Sequence, residues 1–291
     1  MKKKILITGG TGYLGSHIIN ALKGYHDFIL LTRKSSRFHR LEASIHRIQV
    51  IDLEDFDQQK ASVLEIDIFI HCATQYGKKD ADAVSVLEAN LMLPLRILGI
   101  FQRIGKKITY INTDTILEKH ISAYSLSKSQ LKEWMPIFLK DVAFINVKLE
   151  HFYGPLDDKS KFVSFIMHAF MNNQPAIDLT RGEQTRYFTF IDDIVSAFEV
   201  IIAKIDQFPT GLTEFEVSGD QPVTIKRFIS LVQQITGNNI TKLNFGAIPY
   251  RNGEVMNVSI DTTGIKKLGW RAKVDLTDGL KQTFETDKRN L

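Results

Sequence analysis

The sequence has a single cysteine, Cys72, among its 291 residues. One thiol excludes an internal disulfide and a cysteine-rich metal cluster, so the folded state must rest on an ordinary packed core. Cys72 follows the apolar stretch from Ile66 to Ile70, where a small thiol packs like an apolar side chain. This cysteine usage is typical of a reducing compartment, and we expect a cytoplasmic protein.

An excess of charge and long apolar runs are also missing. The net charge is only +4, and the sequence has neither an arginine-rich arm nor zinc-finger spacing, so we expect no nucleic-acid partner. The first apolar run has three residues before glycines intervene, and no continuous apolar segment is long enough to span a bilayer, so we expect no membrane partner. The eight histidines show no metal-ligand spacing, and no GxSxG motif is present, so we expect neither a metal site nor serine-hydrolase chemistry.

Glycine is concentrated near the start of the chain, in KILITGGTGYLG at residues 4–15. A short buried strand ends there in Gly9, Gly10, Gly12 and Gly15, and a helix is predicted to follow over 17–23. Glycines allow the sharp turn and let the backbone approach a pyrophosphate, whose charge is stabilised by a helix N-terminus. The pattern therefore predicts dinucleotide binding, and the alternative is a glycine-rich turn without a ligand.

The end of the second predicted strand indicates which dinucleotide binds. An NAD enzyme carries an acidic residue there for the ribose 2′-hydroxyl, but this chain has no acid between Asp27 and Glu42. It has Arg33, Lys34 and Ser35 instead, which suit a 2′-phosphate. The pattern favours NADP(H), and the alternative is a solvated basic loop.

The rest of the chain alternates strands with helices, which predicts a parallel sheet. Further strands are predicted over 28–31, 47–51, 66–73, 108–112 and 142–149. Helices are predicted over 84–101 and 123–139, with kinks at Pro94 and Pro136, and over 162–171, 192–205, 224–236 and 275–286. The expected fold is a doubly wound α/β protein, with a Rossmann domain over 1–150 and about 190–215. A smaller C-terminal α/β substrate lobe is expected over 151–189 and 216–291.

Three residues carry the candidate chemistry. Tyr124 and Lys128 lie four positions apart on a predicted helix, hence on one face, and Thr113 ends the strand that leads into this helix. A free tyrosine has a pKa of about 10, and a nearby ammonium group is expected to lower it enough for proton transfer. The alternative is a plain exposed pair on a helix surface.

Together, TGGTGYLG (8–15), YSLSK (124–128) and RYFTFIDDI (186–194) resemble the extended short-chain dehydrogenase/reductase family of nucleotide-sugar enzymes, the NAD-dependent epimerases and dehydratases. The resemblance implies that Thr113 binds the sugar carbonyl, that Tyr124 exchanges its proton, and that Lys128 holds the nicotinamide ribose and tunes the tyrosine. It further implies cofactor contacts by Tyr13, Leu14, Leu53 and Ala73, an adenine contact by Asp52, and an asparagine, Asn90, that orients the lysine through water. Substrate contacts are implied for Thr74, Asp114 and His151, and diphosphate contacts for Arg186 and Arg251.

Departures from the family pattern narrow the expected reaction. Thr115 stands where the 4,6-dehydratases carry the glutamate that removes the C5 proton, so we expect no dehydration. Lys148 and His151 replace the usual arginine and asparagine before YGP, which leaves the substrate contacts of that strand open. LEHFYGP (149–155), ATQYGKK (73–79) and NTDT (112–115) are similar to the abequose and paratose synthases, which reduce a CDP-4-keto-3,6-dideoxyhexose.

The sequence therefore predicts an NADPH-dependent 4-ketoreductase of a nucleotide-linked deoxysugar, CDP-linked by resemblance. One alternative is an NAD-dependent 4-epimerase, and an alternative of another class is a non-catalytic NADP-sensing regulator built on the same fold. We also expect a homodimer, although no motif reports the oligomeric state, the nucleotide base or the configuration produced at C4.

Overall fold

A computed structural model describes residues 1–56, 64–77, 82–138 and 142–290. These residues form two compact units. The first contains Met1–Leu149 and Val195–Glu216, and the second contains Glu150–Ile194 and Val217–Leu291. Which ligand each unit holds stays a prediction.

The elements are numbered here in chain order. The strands are β1 (Lys4–Thr8), β2 (Asp27–Thr32), β3 (Gln49–Asp52), β4 (Ile68–His71), β5 (Thr109–Thr115), β6 (Ala143–Leu149), β7 (His151–Tyr153), β8 (Ala176–Leu179), β9 (Thr185–Arg186), β10 (Phe188–Phe190), β11 (Gly211–Val217), β12 (Val223–Thr224) and β13 (Lys242–Phe245). The α-helices are α1 (Tyr13–Leu22), α2 (Ala83–Leu87), α3 (Leu93–Arg103), α4 (Ala123–Phe138), α5 (Phe162–Met171), α6 (Ile191–Ala203), α7 (Ile225–Thr236), α8 (Thr263–Lys267) and α9 (Leu276–Arg289).

The first unit is built on a seven-stranded sheet in the order β11-β6-β5-β4-β1-β2-β3. The pairings from β6 to β3 are all parallel. Strand β11 runs in the same direction, because the Gly211 N–H donates to the Val142 carbonyl at one end and Glu216 lies beside Lys148 at the other. The strand order extends from β1 to β3 at one edge, and the chain then returns to place β4 on the other side of β1. A doubly wound α/β fold requires this reversal of strand order, so the predicted fold class is confirmed.

The core of the first unit forms because its strands are apolar and flanked by helices. The ring of Tyr110 is stacked between Phe69 and Phe144, with ring centroids 5.0 and 5.2 Å away. Leu131 and Met135, one turn apart on α4, are buried in the same cluster. This packing fixes α4 against the centre of the sheet, which positions the candidate residues near its N-terminus.

Helix α1 begins four residues earlier than the apolar pattern predicts. Gly12 is its N-cap in an extended conformation, and the helix starts at Tyr13 rather than at His17. The spacing of apolar residues does not predict this helix start, because Gly15 in the first turn of α1 packs against the glycine turn.

The predicted helix over 84–101 is interrupted before its proline. A π-helical stretch over Glu88–Met92 joins α2 to α3, and Pro94 lies in the first turn of α3, directly after this change of helical geometry. Pro136 instead lies inside α4, and Leu139, the predicted end of that helix, lies outside the described residues.

The prediction that no segment is long enough to span a membrane is wrong by length. Residues Ala83–Arg103 form one helical stretch of 21 residues with a mean hydropathy of 1.6. The helix over 84–101 was predicted, but polar residues interrupt its apolar ones, so no membrane-spanning segment was expected there. In the structure 44% of its most apolar window is buried within the protein, and a single helix of this length and composition is weak evidence for a membrane span.

The second unit contains three two-stranded pairs, β10 with β7, β12 with β9, and β13 with β8. An aromatic cluster joins them to the helices, with the rings of Phe188 and Phe228 stacked at 4.0 Å. Asp193, from the FIDDI segment, accepts hydrogen bonds from the backbone N–H groups of Lys273 and Val274, both at 2.9 Å. That segment therefore ties the helix start of α6 to the loop before α9.

Candidate active site

The glycine turn brings the ends of β1 and β4 into direct contact. Gly9 has a φ of +70°, and a Cβ atom there would lie 2.3 Å from the backbone nitrogen of Ala73. No side chain fits this approach, and the left-handed conformation favours glycine as well. Gly9 is therefore required by the fold itself, apart from any ligand.

The same turn has the chemistry that a dinucleotide pyrophosphate requires. Gly12 is exposed at the start of α1, where no side chain caps the helix and no acidic residue lies in the first turn. A Cβ on Gly15 would lie 2.4 Å from the Gly9 carbonyl oxygen, so glycine is needed there for tight helix packing. Tyr13 and Leu14 follow in the first turn, half-buried and buried. Free N–H groups at an uncapped N-terminus suit a bound anion, so the turn fits the cofactor.

The basic end of β2 is exposed but partly neutralised. Arg33, Lys34 and Ser35 all lie on the surface, and the Lys34 ammonium pairs with Glu54 at 3.1 Å. The hydrogen bond from Lys34 to Glu54 raises the pKa of the lysine. Asp52 lies beside Thr32 in the register of β2 and β3, and its carboxylate accepts the Glu54 N–H at 2.8 Å. Lys34 is thus less available to a phosphate than the sequence indicates.

Two neighbours of Asp52 complete this edge of the sheet. The Leu53 N–H donates to the Thr32 carbonyl at 2.9 Å, which continues the β2–β3 pairing by one residue. The Thr32 hydroxyl donates to the Ser36 hydroxyl at 2.6 Å. These bonds fix the loop that carries Arg33.

Lys128 is fully buried, and its ammonium group donates to the backbone carbonyl of Thr113 at 2.8 Å. The Thr113 hydroxyl donates in turn to the backbone carbonyl of His71 at 2.9 Å. Residues from α4, β5 and β4 therefore meet at the carboxyl end of the sheet. A threonine hydroxyl has one proton, and that of Thr113 is donated to His71. The hydroxyl can therefore only accept hydrogen bonds from other groups, unless its proton rotates away from His71.

The protonation of Lys128 is set mainly by burial. Burial lowers the pKa of the ammonium to about 8, against the opposing charge of Asp114. His71 lies alongside, with its Nδ1 2.7 Å from the Thr8 hydroxyl, and burial keeps the pKa of its imidazole well below the usual range. The histidine is therefore neutral near pH 7.

Tyr124 lies one turn before Lys128 on α4, with its ring centroid 5.0 Å from that of Tyr76. Burial raises the pKa of the Tyr124 phenol, as do Tyr76 and Asp114, and a hydrogen bond with Thr115 acts in the opposite direction. The pKa of Tyr124 is therefore raised and not lowered as the sequence predicts, because burial has the largest effect. Tyr124 is thus held in its protonated form.

Asn90 lies in the π-helical stretch and is completely buried. Its side-chain amide exchanges two hydrogen bonds with the backbone of Gln75, both at 2.9 Å, and donates to the Ser127 hydroxyl at 3.0 Å. Ser127 donates to the Tyr124 carbonyl at 2.7 Å. Asn90 therefore fixes the segment that includes Ala73 and Thr74, and it touches α4 beside Lys128.

The ATQYGKK motif is described only in part, since Lys78 and Lys79 lie outside the described residues. The described part runs from Ala73 to Gly77, shortly after β4, without regular secondary structure. Tyr76 belongs to this part, so the motif reaches the ring of Tyr124.

Asp114 belongs to a buried polar network on the same side of the sheet as α4. Its carboxylate accepts the Thr115 N–H at 2.7 Å and the side-chain amide of Asn146 at 2.7 Å. Asn146 also donates to Glu214 at 2.9 Å and accepts from the Asn112 side chain at 2.9 Å. Sequence reasoning did not find Asn112, Asn146 or Glu214, although polar residues inside the buried strands YINTD and FINVK are a usable signal.

A pocket of about 250 Å³ opens beside Asp114. Lysines are prominent in it, but Lys148 is paired with both Glu214 and Glu216 at 3.6 Å, and Lys132 is paired with Glu214 at 3.5 Å. The pocket is thus balanced in charge. The lining residues are Asp114, Thr115, Ile116, Leu117, Lys119, Ser125, Ser129, Lys132, Lys148 and Glu216.

In the second unit, Arg186 and Arg251 meet on a single carboxylate. Arg186 forms a buried ion pair with Glu254, and its guanidinium also donates to the carbonyls of Thr185 and Val255 at 2.7 and 2.8 Å. Arg251, which is 63% exposed, donates to Glu254 at 2.8 Å. Glu254 was missed in the sequence, although it stands three residues after Arg251.

His151 is half-buried in β7, with its ring 5.5 Å from that of Phe188. Its Nδ1 lies 3.6 Å from the carboxylate of Glu150, whose other oxygen accepts the Tyr187 N–H at 2.7 Å. Lys148, which replaces the usual arginine, belongs to the first unit and is bound to the carboxylates of β11. The substrate contact expected of His151 stays a prediction.

Comparison with known proteins bears on this arrangement. The model of the NAD dependent epimerase/dehydratase family matches residues 5–213. The chain belongs to this family, and the predicted resemblance is confirmed.

Two relatives share nearly their whole length with the chain. The CDP-abequose synthase of Salmonella muenchen is 30% identical and covers 97% of both chains. The CDP-abequose synthase of Salmonella typhimurium is 27% identical and covers 98% of both chains.

Solved structures share the fold. The UDP-glucose 4-epimerase of Thermotoga maritima, solved with UDP-glucose, has a TM-score of 0.84 at 21% identity and covers 99% of both chains. The dTDP-glucose 4,6-dehydratase of Streptomyces venezuelae, solved with NAD, has a TM-score of 0.83 at 17% identity and covers 99% of this chain and 97% of that chain. At these identities the likeness concerns the fold alone.

The burial of Lys128 yields a stability prediction. Replacing Lys128 by Met should raise the free energy of unfolding at pH 7 by about 1–3 kcal/mol, because it removes a buried charge whose pKa falls from the ordinary 10.5 to about 8. Below pH 8 both states are protonated and the cost of burying the charge is complete. Between pH 8 and 10.5 the native lysine loses its proton first, so the advantage of Lys128→Met should shrink.

Urea unfolding of both proteins from pH 7 to 10 measures this difference. Lys132→Met is the control, since its ammonium is partly exposed and paired with Glu214. A Lys128→Met protein that is less stable than the wild type, or more stable by the same amount at every pH, would contradict the expectation.

Proposed function

We propose that the protein reduces the C4 ketone of a CDP-linked 3,6-dideoxyhexose with NADPH as reductant. The coarser part, a nucleotide-sugar-modifying enzyme, rests on membership of the NAD dependent epimerase/dehydratase family. The finer part is supported by the two CDP-abequose synthases that match over nearly the whole chain. By resemblance the product is CDP-abequose, with CDP-paratose as the nearest alternative.

The observation that carries the proposal is the pair formed by Tyr124 and the buried Lys128 beside Thr113. Tyr124, protonated at neutral pH, donates its proton to the C4 oxygen of the substrate as negative charge develops there. Lys128 supplies the positive charge that stabilises the phenolate left behind. Thr113 orients the carbonyl oxygen once its proton turns from His71.

The cofactor site draws on the glycine turn and the end of β2. Gly9, Gly12 and Gly15 allow the backbone to approach the pyrophosphate, and Arg33 binds the 2′-phosphate. Bound NADPH supplies the hydride that reduction of a ketone requires.

Thr115 supports reduction over dehydration. Its hydroxyl accepts the Leu117 N–H at 3.2 Å, and an alcohol cannot serve as the base that a carboxylate provides near neutral pH. A 4-epimerase would return the hydride to its product, and a non-catalytic regulator would have no use for a costly buried lysine.

A homodimer is supported by apolar side chains exposed on α2 and α4. Val84 is 65% exposed and Ile137 is 66% exposed, and Trp134 is 44% exposed. Burial of such side chains against a second copy would be favourable.

The reaction itself is tested with a panel of CDP-, dTDP-, GDP- and UDP-linked 4-keto sugars and NADPH. With CDP-4-keto-3,6-dideoxyglucose we expect one NADPH consumed for each sugar reduced, with the product assigned by NMR. Intact CDP-glucose should not react, because the C5 base is missing. Release of water from CDP-glucose, or interconversion of C4 epimers without net NADPH consumption, would overturn the proposal.

The proton path predicts that Tyr124→Phe lowers turnover by roughly a hundred to ten thousand fold, while NADPH still binds. Tyr76→Phe is the matched control, since it keeps the ring against Tyr124 and should retain most of the activity. Steady-state rates and a fluorescence titration of NADPH measure the two effects. Near-normal turnover by Tyr124→Phe would move the assignment to Asp114 or His151.

The cofactor preference should depend on Arg33. Replacing Arg33 by Asp removes a charge-assisted contact of about 1.5–3 kcal/mol, so the preference for NADPH over NADH should fall by roughly ten- to a hundredfold. Lys34→Ala is the control, because that lysine is already paired with Glu54. The ratio of kcat/KM values for the two cofactors gives the result, and equal use of both by the wild type would refute the idea.

A further inference from the structure

Two strands of the first unit bring polar side chains into its interior, and a third, β11, adds a partly exposed carboxylate beside them. Asn112 on β5 and Asn146 on β6 lie opposite each other in the parallel register and are completely buried. Asp114, two residues beyond Asn112, is 7% exposed. The register thus sets amides next to carboxylates at the carboxyl end of the sheet, where Glu214 of β11 completes the group.

The orientation of the Asn146 amide follows from its neighbours. Its nitrogen lies 2.7 Å from an Asp114 oxygen and 2.9 Å from a Glu214 oxygen, so both N–H bonds are given to carboxylates. Its oxygen accepts the Asn112 amide at 2.9 Å. The second oxygen of Asp114 accepts the Thr115 backbone N–H at 2.7 Å. Among the described residues, both hydrogen bonds of this carboxylate are accepted from N–H groups, one at each oxygen.

We propose that Asn146 is a positioning residue that holds Asp114 as a fixed anion beside Tyr124 and Lys128. Asn146 reaches neither of these two residues and acts on them through the Asp114 carboxylate. Its effect on turnover rests on the proposed function, whereas its effect on the charge at the site does not.

The charges around Lys128 explain why a fixed anion matters. The titratable groups that face its ammonium are Asp114 on β5 and His71 and Cys72 at the end of β4. Burial keeps the pKa of His71 well below its usual range and raises the pKa of Cys72 to about 12. The charge of Asp114 raises the pKa values of both Lys128 and Tyr124, against the burial of the lysine.

Glu214 receives the second N–H of Asn146 without adding net charge. Burial opposes its ionisation, but the bond from Asn146 and the charges of Lys148 and Lys132 outweigh burial and lower the pKa of the carboxyl. The two lysines lie 3.6 and 3.5 Å from it. Asn146 therefore links the Glu214 carboxylate, which is paired with two lysines, to the Asp114 carboxylate.

The test follows the titration of Lys128 itself, in protein labelled with ¹³C at lysine Cε and observed by NMR. Lys128→Met identifies the signal by its loss. Asp114→Asn should lower the titration midpoint by roughly one to two pH units, the effect of removing a nearby charge. Asn146→Ala should give at least about half of that shift, because the carboxylate loses its side-chain donor and its position.

Asn112→Ala is the matched control. This substitution removes the hydrogen bond from Asn112 to Asn146 but keeps both N–H bonds from Asn146 to Asp114 and Glu214. The titration midpoint of Lys128 should therefore stay within about 0.2 pH units of the wild-type value. Equal shifts in Asn112→Ala and Asn146→Ala would assign Asn146 a merely structural role and overturn the proposal. So would an unchanged midpoint in Asn146→Ala or in Asp114→Asn.

Asn146→Ser covers the case in which the alanine variant does not fold. A serine hydroxyl keeps one donor, so a smaller lowering of the midpoint is expected, and a midpoint equal to that of the wild type overturns the proposal. The titration uses the protein alone, so absence of ketoreductase activity would refute the proposed function without touching this result. With an active enzyme, the alkaline limb of the pH–rate profile should move to lower pH in Asn146→Ala and not in Asn112→Ala.

Discussion

The ammonium group of Lys128 is completely buried at the carboxyl end of the sheet. It needs hydrogen-bond acceptors there, which an apolar core does not supply. Lys128 obtains one from the carbonyl of Thr113, which lies one residue beyond the last pair of β4 and β5, His71 with Asn112. An isolated buried charge is costly unless it is paired and hydrogen-bonded. The polar groups of Thr113, His71 and Asp114 follow from that requirement, and they are found where the parallel strands end.

The fold was predictable where the sequence repeats a simple local rule. Apolar strands separated by helices identified the parallel sheet, and Gly9 through Gly15 identified its first turn, because these signals are local. The strand boundaries moved by one to three residues, as with Ile108 to Asn112, which extends to Thr115. The helix over 84–101 was predicted, but its helical stretch, Ala83–Arg103, was not expected to be long enough for a membrane span, since polar residues such as the buried Asn90 interrupt it.

The sequence predicted which residues belong to the candidate site, but not the hydrogen bonds among them. Tyr124 and Lys128 are four apart on a helix, so their shared face is a matter of spacing alone. The direction in which the Tyr124 pKa moves depends on burial and on which carbonyl binds the lysine, and neither is readable from spacing. Asn146 and Glu214 are 68 residues apart in the chain, so only the strand order brings them into hydrogen-bonding contact.

In the second unit, Arg186 and Arg251 are also paired with a carboxylate, but they differ in how firmly they are held. Arg186 is 7% exposed and is bound by Glu254 and two backbone carbonyls, so its guanidinium is fixed in place. Among the described residues Arg251 contacts Glu254 through one hydrogen bond, and its side chain is 63% exposed, so its guanidinium is less constrained than that of Arg186. Removing one partner of a buried ion pair costs more than removing an exposed one. Glu254 therefore supports Arg186 as a structural partner, and of the two arginines Arg251 has the more mobile side chain.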